Sequence, residues 1–180
     1  SNNQNSVKAR DFKSNDAIQI RLQNEMMRDF KGAYHYEIKR GEVGKGETIS
    51  NEDAGLYLLS FDLSQPWSTH RKYKVFDEKY AEVFGRPEVT ASRIALLHEM
   101  MKRVRFKCTG INNKLFGKYA LTRFLILYLL HEVLHTDAAG KRIISEPQLA
   151  MRTNTLRQAF TRCIDTVIDD LIVDINGEVN

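Results

Sequence analysis

The segment His131-Glu132-Val133-Leu134-His135 carries two imidazoles one helical turn apart with a carboxylate between them. This is the HExxH spacing, in which both histidines hold Zn²⁺ and the glutamate activates water. His135 is the last of the chain's 5 histidines, so no third imidazole can follow it. Only a carboxylate could complete the site, and Glu146, Asp169, Asp170 and Glu178 all lie in undistinctive surroundings. Tyr128, three residues before the first histidine, and Asp137, two after the second, stand where zincin helices carry small or apolar residues. Residues 121–134 are apolar on nearly every side, as in a central bundle helix, and imidazoles suit the helix C-terminus because the dipole favours positive charge there. The balance favours packing, with no metal and no cofactor expected.

Glu37-Ile38-Lys39 is a second candidate, because an acid and a lysine two apart on a strand share a face and could hold Mg²⁺ and activate water, as in nucleases of the PD-(D/E)xK type. The spacing is unspecific, since Asp11-x-Lys13, Asp29-x-Lys31 and Asp77-x-Lys79 repeat it, and an upstream Pro-Asp pair is absent. An ion-pair ladder on a strand face is the simpler account. Gly41-Glu42-Val43-Gly44-Lys45-Gly46 lacks the spacing of a phosphate loop and has Gly46 where Ser or Thr must follow the lysine, so it reads as a turn. Asn3, Gln4 and Asn5 donate and accept hydrogen bonds, and with Lys8 and Arg10 they form a set suited to phosphate and base contacts, or equally to helix capping. Lys39 and Arg40 extend that set. Trp67, Tyr73 and Phe76 beside Arg71, Lys72 and Lys74 could stack bases, although an aromatic core edge with a basic rim explains them as well.

These residues must be positioned by elements that the periodicity defines. Ser14 to Asp16 can cap a helix in which Ile18, Leu22, Met26 and Phe30 recur at i+4, ending at Gly32. From Ala33 the period becomes two, giving a half-buried strand through Lys39, and Glu47 to Ile49 is expected to pair back after the glycines as a β-hairpin. Beyond Ser50, which with Asp53 forms a capping pattern, helices are expected over 75–84, 90–106, 114–137 and 145–175. Phe124, Leu127, Tyr128 and Leu134 are expected in the core. The fold class is therefore mainly α, a helical bundle with a small β-hairpin near its N-terminal end. Residues 1–48 are expected to form an arm, helix and hairpin, and 49–180 a helical domain.

The 180 residues are 42% hydrophobic and 28% charged, the composition of a folded globular protein. Lys and Arg number 27 against 23 Asp and Glu, a bias of +4 that leans toward polyanions. The cations cluster at 8–13, 39–40, 71–74 and 102–107, and solvated faces are the commonest meaning of such clusters. Cys108 and Cys163 have no zinc spacing and read as free thiols, favouring the cytoplasm. The longest apolar run, 124–130, is too short to span a bilayer.

The run from Ser1 to Met26, SNNQNSVKARDFKSNDAIQIRLQNEM, followed by YHYEIKRGE at 34–42, resembles the abortive-infection phage-resistance (AIPR) family. That family reads as Asn-x-Gln-Asn, a basic Asp-Phe or Asp-Leu step, a helix, and Tyr-Glu-x-Lys-Arg-Gly-Glu. The resemblance continues through NEDAGLYLLSFDLSQPW, KVFDEKYAEVFG and KYALTRFLILYLL. It implies a bacterial anti-phage or restriction-associated protein whose members carry an α/β region before the Asn-Gln segment, so that residues 1–48 are expected to be the end of a preceding α/β domain. No catalytic residue follows from it, so an enzymatic role stays open. The expected partners are nucleic acid, through Asn3, Gln4, Asn5, Lys8, Arg10, Lys39 and Arg40, or a defence-system protein or second copy through the C-terminal helix. The rival readings are a metal-dependent hydrolase at 131–135 or 37–39 and a helical interaction scaffold.

Overall fold

The computed structural model describes residues 8–117 and 119–179 of the chain. After a helical turn at 8–12, helix α1 (Ala17–Phe30) starts where the Asp16 carboxylate accepts the Ile18 N–H at 2.9 Å. It buries Leu22 and Met26 and ends at Lys31 and Gly32, both in the left-handed region. Strands β1 (Tyr34–Glu37) and β2 (Glu47–Ser50) follow and form a two-stranded sheet.

The strands pair in parallel, Tyr34 opposite Glu47 and Glu37 opposite Ser50, and so do not make the expected hairpin. Glu42 explains the difference. Its N–H donates to the Lys39 carbonyl at 3.1 Å, and its carboxylate accepts the Lys39 N–H at 2.9 Å and the Gln23 side-chain amide at 3.1 Å. The Glu42 carboxylate also lies 3.6 Å from His35 Nε2 of β1, and residues 43–46 carry the chain back to the start of the strand. Gly46, at φ 89°, lies so close to the Gly32 and Ala33 backbone that a Cβ would collide with it.

Helix α2 (Asn51–Phe61) begins at Ser50, whose hydroxyl accepts the Asp53 N–H at 3.0 Å, the expected cap. Every residue from Ala54 to Phe61 is buried, because α2 is enclosed by α4 (Ala91–Thr109), α6 (Ala120–Leu134) and two 3₁₀ turns at Pro66–His70 and Lys72–Phe76. Gly55 permits the second turn to approach: a Cβ there would enter Val75 and press on Phe84. The helix expected over 75–84 is thus the end of a 3₁₀ turn and a short α3 (Tyr80–Phe84), interrupted at Asp77, whose backbone leaves the helical region.

The remaining helices are shorter than their sequence pattern. The stretch 114–137 holds α5 (Lys114–Gly117) and α6, with Tyr119 extended before α6. Asp137 caps a separate helix, α7 (Ala138–Ser145), by accepting the Gly140 N–H at 2.6 Å. The expected final helix divides into α8 (Pro147–Arg152), with proline at its first position, and α9 (Asn154–Val179), because Thr153 is extended. β-branched Thr153 gains more from that conformation than from a helical one.

One hydrophobic cluster runs from Leu22 and Tyr36 through α2, α4 and α6 to Phe160, Ile164 and Ile168 of α9. Leu127 and Leu134 lie in it as expected, whereas Phe124 is only half-buried and packed at its edge, and Tyr128 is likewise half-buried. Asp62, at the end of α2, accepts from Arg86 at 2.9 Å and Arg93 at 3.0 Å, and Arg93 also donates to the Ile144 carbonyl, fastening α2, α4 and α7 together. No helix among the described residues is long and apolar enough to cross a membrane.

Candidate nucleic-acid interface

Some of the sequence-distant cations are buried in the fold, and others line a groove. Arg10 belongs to the buried ones. It is 3% exposed and donates to the Asn51 side-chain oxygen, to the Glu37 carboxylate at 2.9 Å and to the Glu37 carbonyl at 3.2 Å. Around it a buried polar chain is satisfied: Asn51 and the Tyr36 hydroxyl donate to the Gln19 oxygen at 3.2 and 2.7 Å, the Gln19 amide donates to the Tyr80 hydroxyl at 3.3 Å, and Tyr80 donates to Asp16 at 2.6 Å. Burial holds the Tyr36 and Tyr80 phenols well above the ordinary tyrosine range. The Arg10 guanidinium thus joins the first helical turn to β1 and α2.

The same contact occupies the carboxylate of the Glu37-x-Lys39 pair. Glu37 is engaged by Arg10, while Lys39 lies beyond the end of β1, exposed. Lys8 is exposed in a shallow depression with Phe12, Lys13 and Tyr73. Asn3, Gln4 and Asn5 lie outside the described residues.

Most of the basic run on α4 is also committed. Lys102 pairs with Glu47 at 3.0 Å and Glu99 at 3.4 Å, Arg103 with Asp165 at 2.7 Å, and Lys107 with Asp169 at 3.1 Å. Arg105 instead lines a groove of about 430 Å³ with Trp67 and His70 from the first 3₁₀ turn, Lys72 from the second, Asp53 of α2 and Arg123 of α6. Leu56, Met101 and Phe124 give it an apolar floor. Among the described residues of its lining, Lys72, Arg105 and Arg123 accompany one carboxylate, Asp53. Beneath it, burial and the Asp53 carboxylate push the Tyr57 phenol up to about 12, against the opposing pull of Arg105. Glu52 lies 3.4 Å from Arg40 and 3.6 Å from Lys72, so Arg40, named from the sequence, shares a carboxylate with the groove residue Lys72. Lys72 and Arg105, one each from the sequence clusters 71–74 and 102–107, meet in this groove, which spacing along the chain could not reveal.

The HExxH residues form a different arrangement. The His131 and His135 rings are 4.1 Å apart, the Phe61 ring stands edge-on to His131 at 4.9 Å, and His135 Nδ1 is bonded to the His131 carbonyl at 2.7 Å. Burial, and secondarily His135, holds the His131 pKa below the ordinary value. Among the described residues no three His, Cys, Asp or Glu side chains are grouped so as to hold a metal ion.

A helical protein with a small sheet at its N-terminal end and a basic, aromatic-walled groove between α2, α4 and α6 is the class these observations define. Residues 1–172 match the family described as AIPR protein, and the chain belongs to that family, a phage-defence family named for abortive infection. No curated protein and no solved structure matches the chain.

Proposed function

We propose that the chain serves phage defence by engaging nucleic acid through its phosphate backbone, along the groove lined by Lys72, Arg105 and Arg123, with Arg40 and exposed Lys39 beside it. The observation that carries this reading is that Lys72, Arg105 and Arg123, from three separate segments, line one concave surface, with Arg40 and Lys72 sharing Glu52 beside it. Cations clustered along a cavity attract polyanions and release condensed counterions on contact. The free thiols of Cys108 and Cys163 suit action in the cytoplasm.

The test is fluorescence anisotropy with labelled DNA and RNA over a salt series, comparing the chain with Lys72→Ala/Arg105→Ala. Affinity should fall steeply with salt, and the double variant should lower the slope of log affinity by roughly 0.7 to 0.9 for each phosphate that it no longer neutralises. An unchanged affinity and slope in the variant would remove the groove from the binding site.

A second reading, a protein partner, is favoured by the exposed Leu121, Leu125 and Val133, which recur at multiples of four along α6. The final helix contributes less to such a face than its pattern suggests, since Leu156, Phe160, Ile164, Val167 and Ile168 are buried in the chain's own core and Val173 stands out from it.

A further inference from the structure

The lining of the groove distinguishes among nucleic acids. Trp67, the chain's sole tryptophan, is 57% exposed and forms one wall. Its ring meets Tyr128 edge-on at 6.5 Å. The turn that carries it is fixed from both ends: Pro66 occupies its first position, Thr69 donates its hydroxyl hydrogen to the Pro66 carbonyl at 2.7 Å, and His70 Nδ1 is bonded to the Trp67 carbonyl at 2.6 Å. The indole is thereby presented in place beside a floor made by Leu56 and Met101, with Lys72 and Arg105 lining the same groove. A surface that only counted phosphates would need neither the aromatic wall nor the apolar floor.

We propose that this groove takes single-stranded nucleic acid, one unpaired base stacking on Trp67 while neighbouring phosphates lie against Lys72 and Arg105. The proposal rests on the nucleic-acid reading above and adds the strand state to it. A duplex keeps its base faces stacked within the helix and offers a concave site its phosphates alone. An unpaired base offers its π-face to an aromatic side chain, and the contact tolerates any sequence because every base has such a face. DNA and RNA single strands share this chemistry, so both are predicted to bind.

Trp67 reports on its own occupancy. A short oligothymidylate, the matching oligouridylate and a mixed-sequence DNA duplex are titrated into the chain, following both tryptophan emission and the anisotropy of labelled strands. Both single strands should quench Trp67 and bind about tenfold or more tighter than the duplex, the preference expected from one stacked base. Trp67→Ala should remove that preference, weakening single-strand binding far more than duplex binding. Trp67→Phe, which keeps a ring, should retain most of it. Duplex binding as tight as that of single strands, an unquenched Trp67, or an unaltered preference in Trp67→Ala would overturn the single-strand assignment while leaving phosphate engagement standing. If neither form binds, the nucleic-acid reading and this proposal fall together.

Discussion

Replacing Arg10 with alanine tests whether this residue holds the fold or meets a ligand. Its guanidinium is 3% exposed and satisfies three acceptors, two on Glu37 and one on Asn51. Arg10→Ala would leave the Glu37 carboxylate and the Asn51 oxygen without their donor inside a structure that water enters poorly. Removing one partner of a buried ion pair costs about 3 to 5 kcal/mol, because the remaining charge stays desolvated. The Glu37 side chain keeps 17% of its surface, so partial rehydration places the expected loss near the lower end, at about 3 kcal/mol. Arg10→Lys should recover part of it, since one ammonium keeps the charge but cannot reproduce the planar fork that spans Asn51 and Glu37. Urea unfolding followed by circular dichroism measures this as a lower midpoint at constant slope. A loss under about 0.5 kcal/mol, the range of ordinary surface substitutions, would refute the structural role. So would a folded Arg10→Ala chain of normal stability that binds nucleic acid more weakly.

Three further outcomes follow from packing and burial. Leu127, fully buried on α6, should cost roughly 2 to 5 kcal/mol when cut to alanine, with half-buried Phe124→Ala costing less than full burial of its ring would imply; equal unfolding midpoints for Leu127→Ala and the parent chain would contradict the packing. Gly55→Ala should destabilise by about 1 to 3 kcal/mol through overpacking against Val75, and a stabilised variant in thermal unfolding would mean the 72–76 turn does not lie against α2. His131 is held below its ordinary pKa of 6.5, so the unfolded chain binds more protons there and stability should fall as pH drops below about 6.5 toward the folded value. In His131→Gln that component of the pH dependence should vanish, and an identical pH profile for the two chains would count against the burial of this imidazole.

The helical character and its caps are legible because they are local. Asp16 and Ser50 are short acceptors placed before apolar repeats, and Leu22, Met26, Leu127 and Leu134 repeat at the period that buries them, whereas Asp137, expected to end a helix, begins the next one. What escapes the sequence depends on partners distant along the chain. Glycines between two alternating segments signal a hairpin, yet Glu42 folds its turn against Lys39 and Gln23 and delivers β2 parallel to β1. The breaks at Asp77 and Thr153 come without proline or glycine at the break itself. The site is half visible: Arg40 and Lys72 lie in evident basic clusters, and Trp67 beside such a cluster suggests base stacking. Arg10 and Arg105 cannot be told from their neighbours, because whether an arginine meets Glu37, Asp165 or a groove is settled by which helices pack together. Arg123 stands in an apolar stretch and carries no signal of its own.

Hydrogen–deuterium exchange of the chain alone and saturated with a single-stranded oligonucleotide locates the binding surface without altering any residue. Binding in the groove predicts slower exchange across residues 67–74 and at the start of α6, 120–124, with the buried polar chain around Arg10 and Gln19 unchanged. Protection confined to residues 8–13, to the turn at 39–46 or to the outer face of α6, with 67–74 exchanging as in the unbound chain, would contradict it.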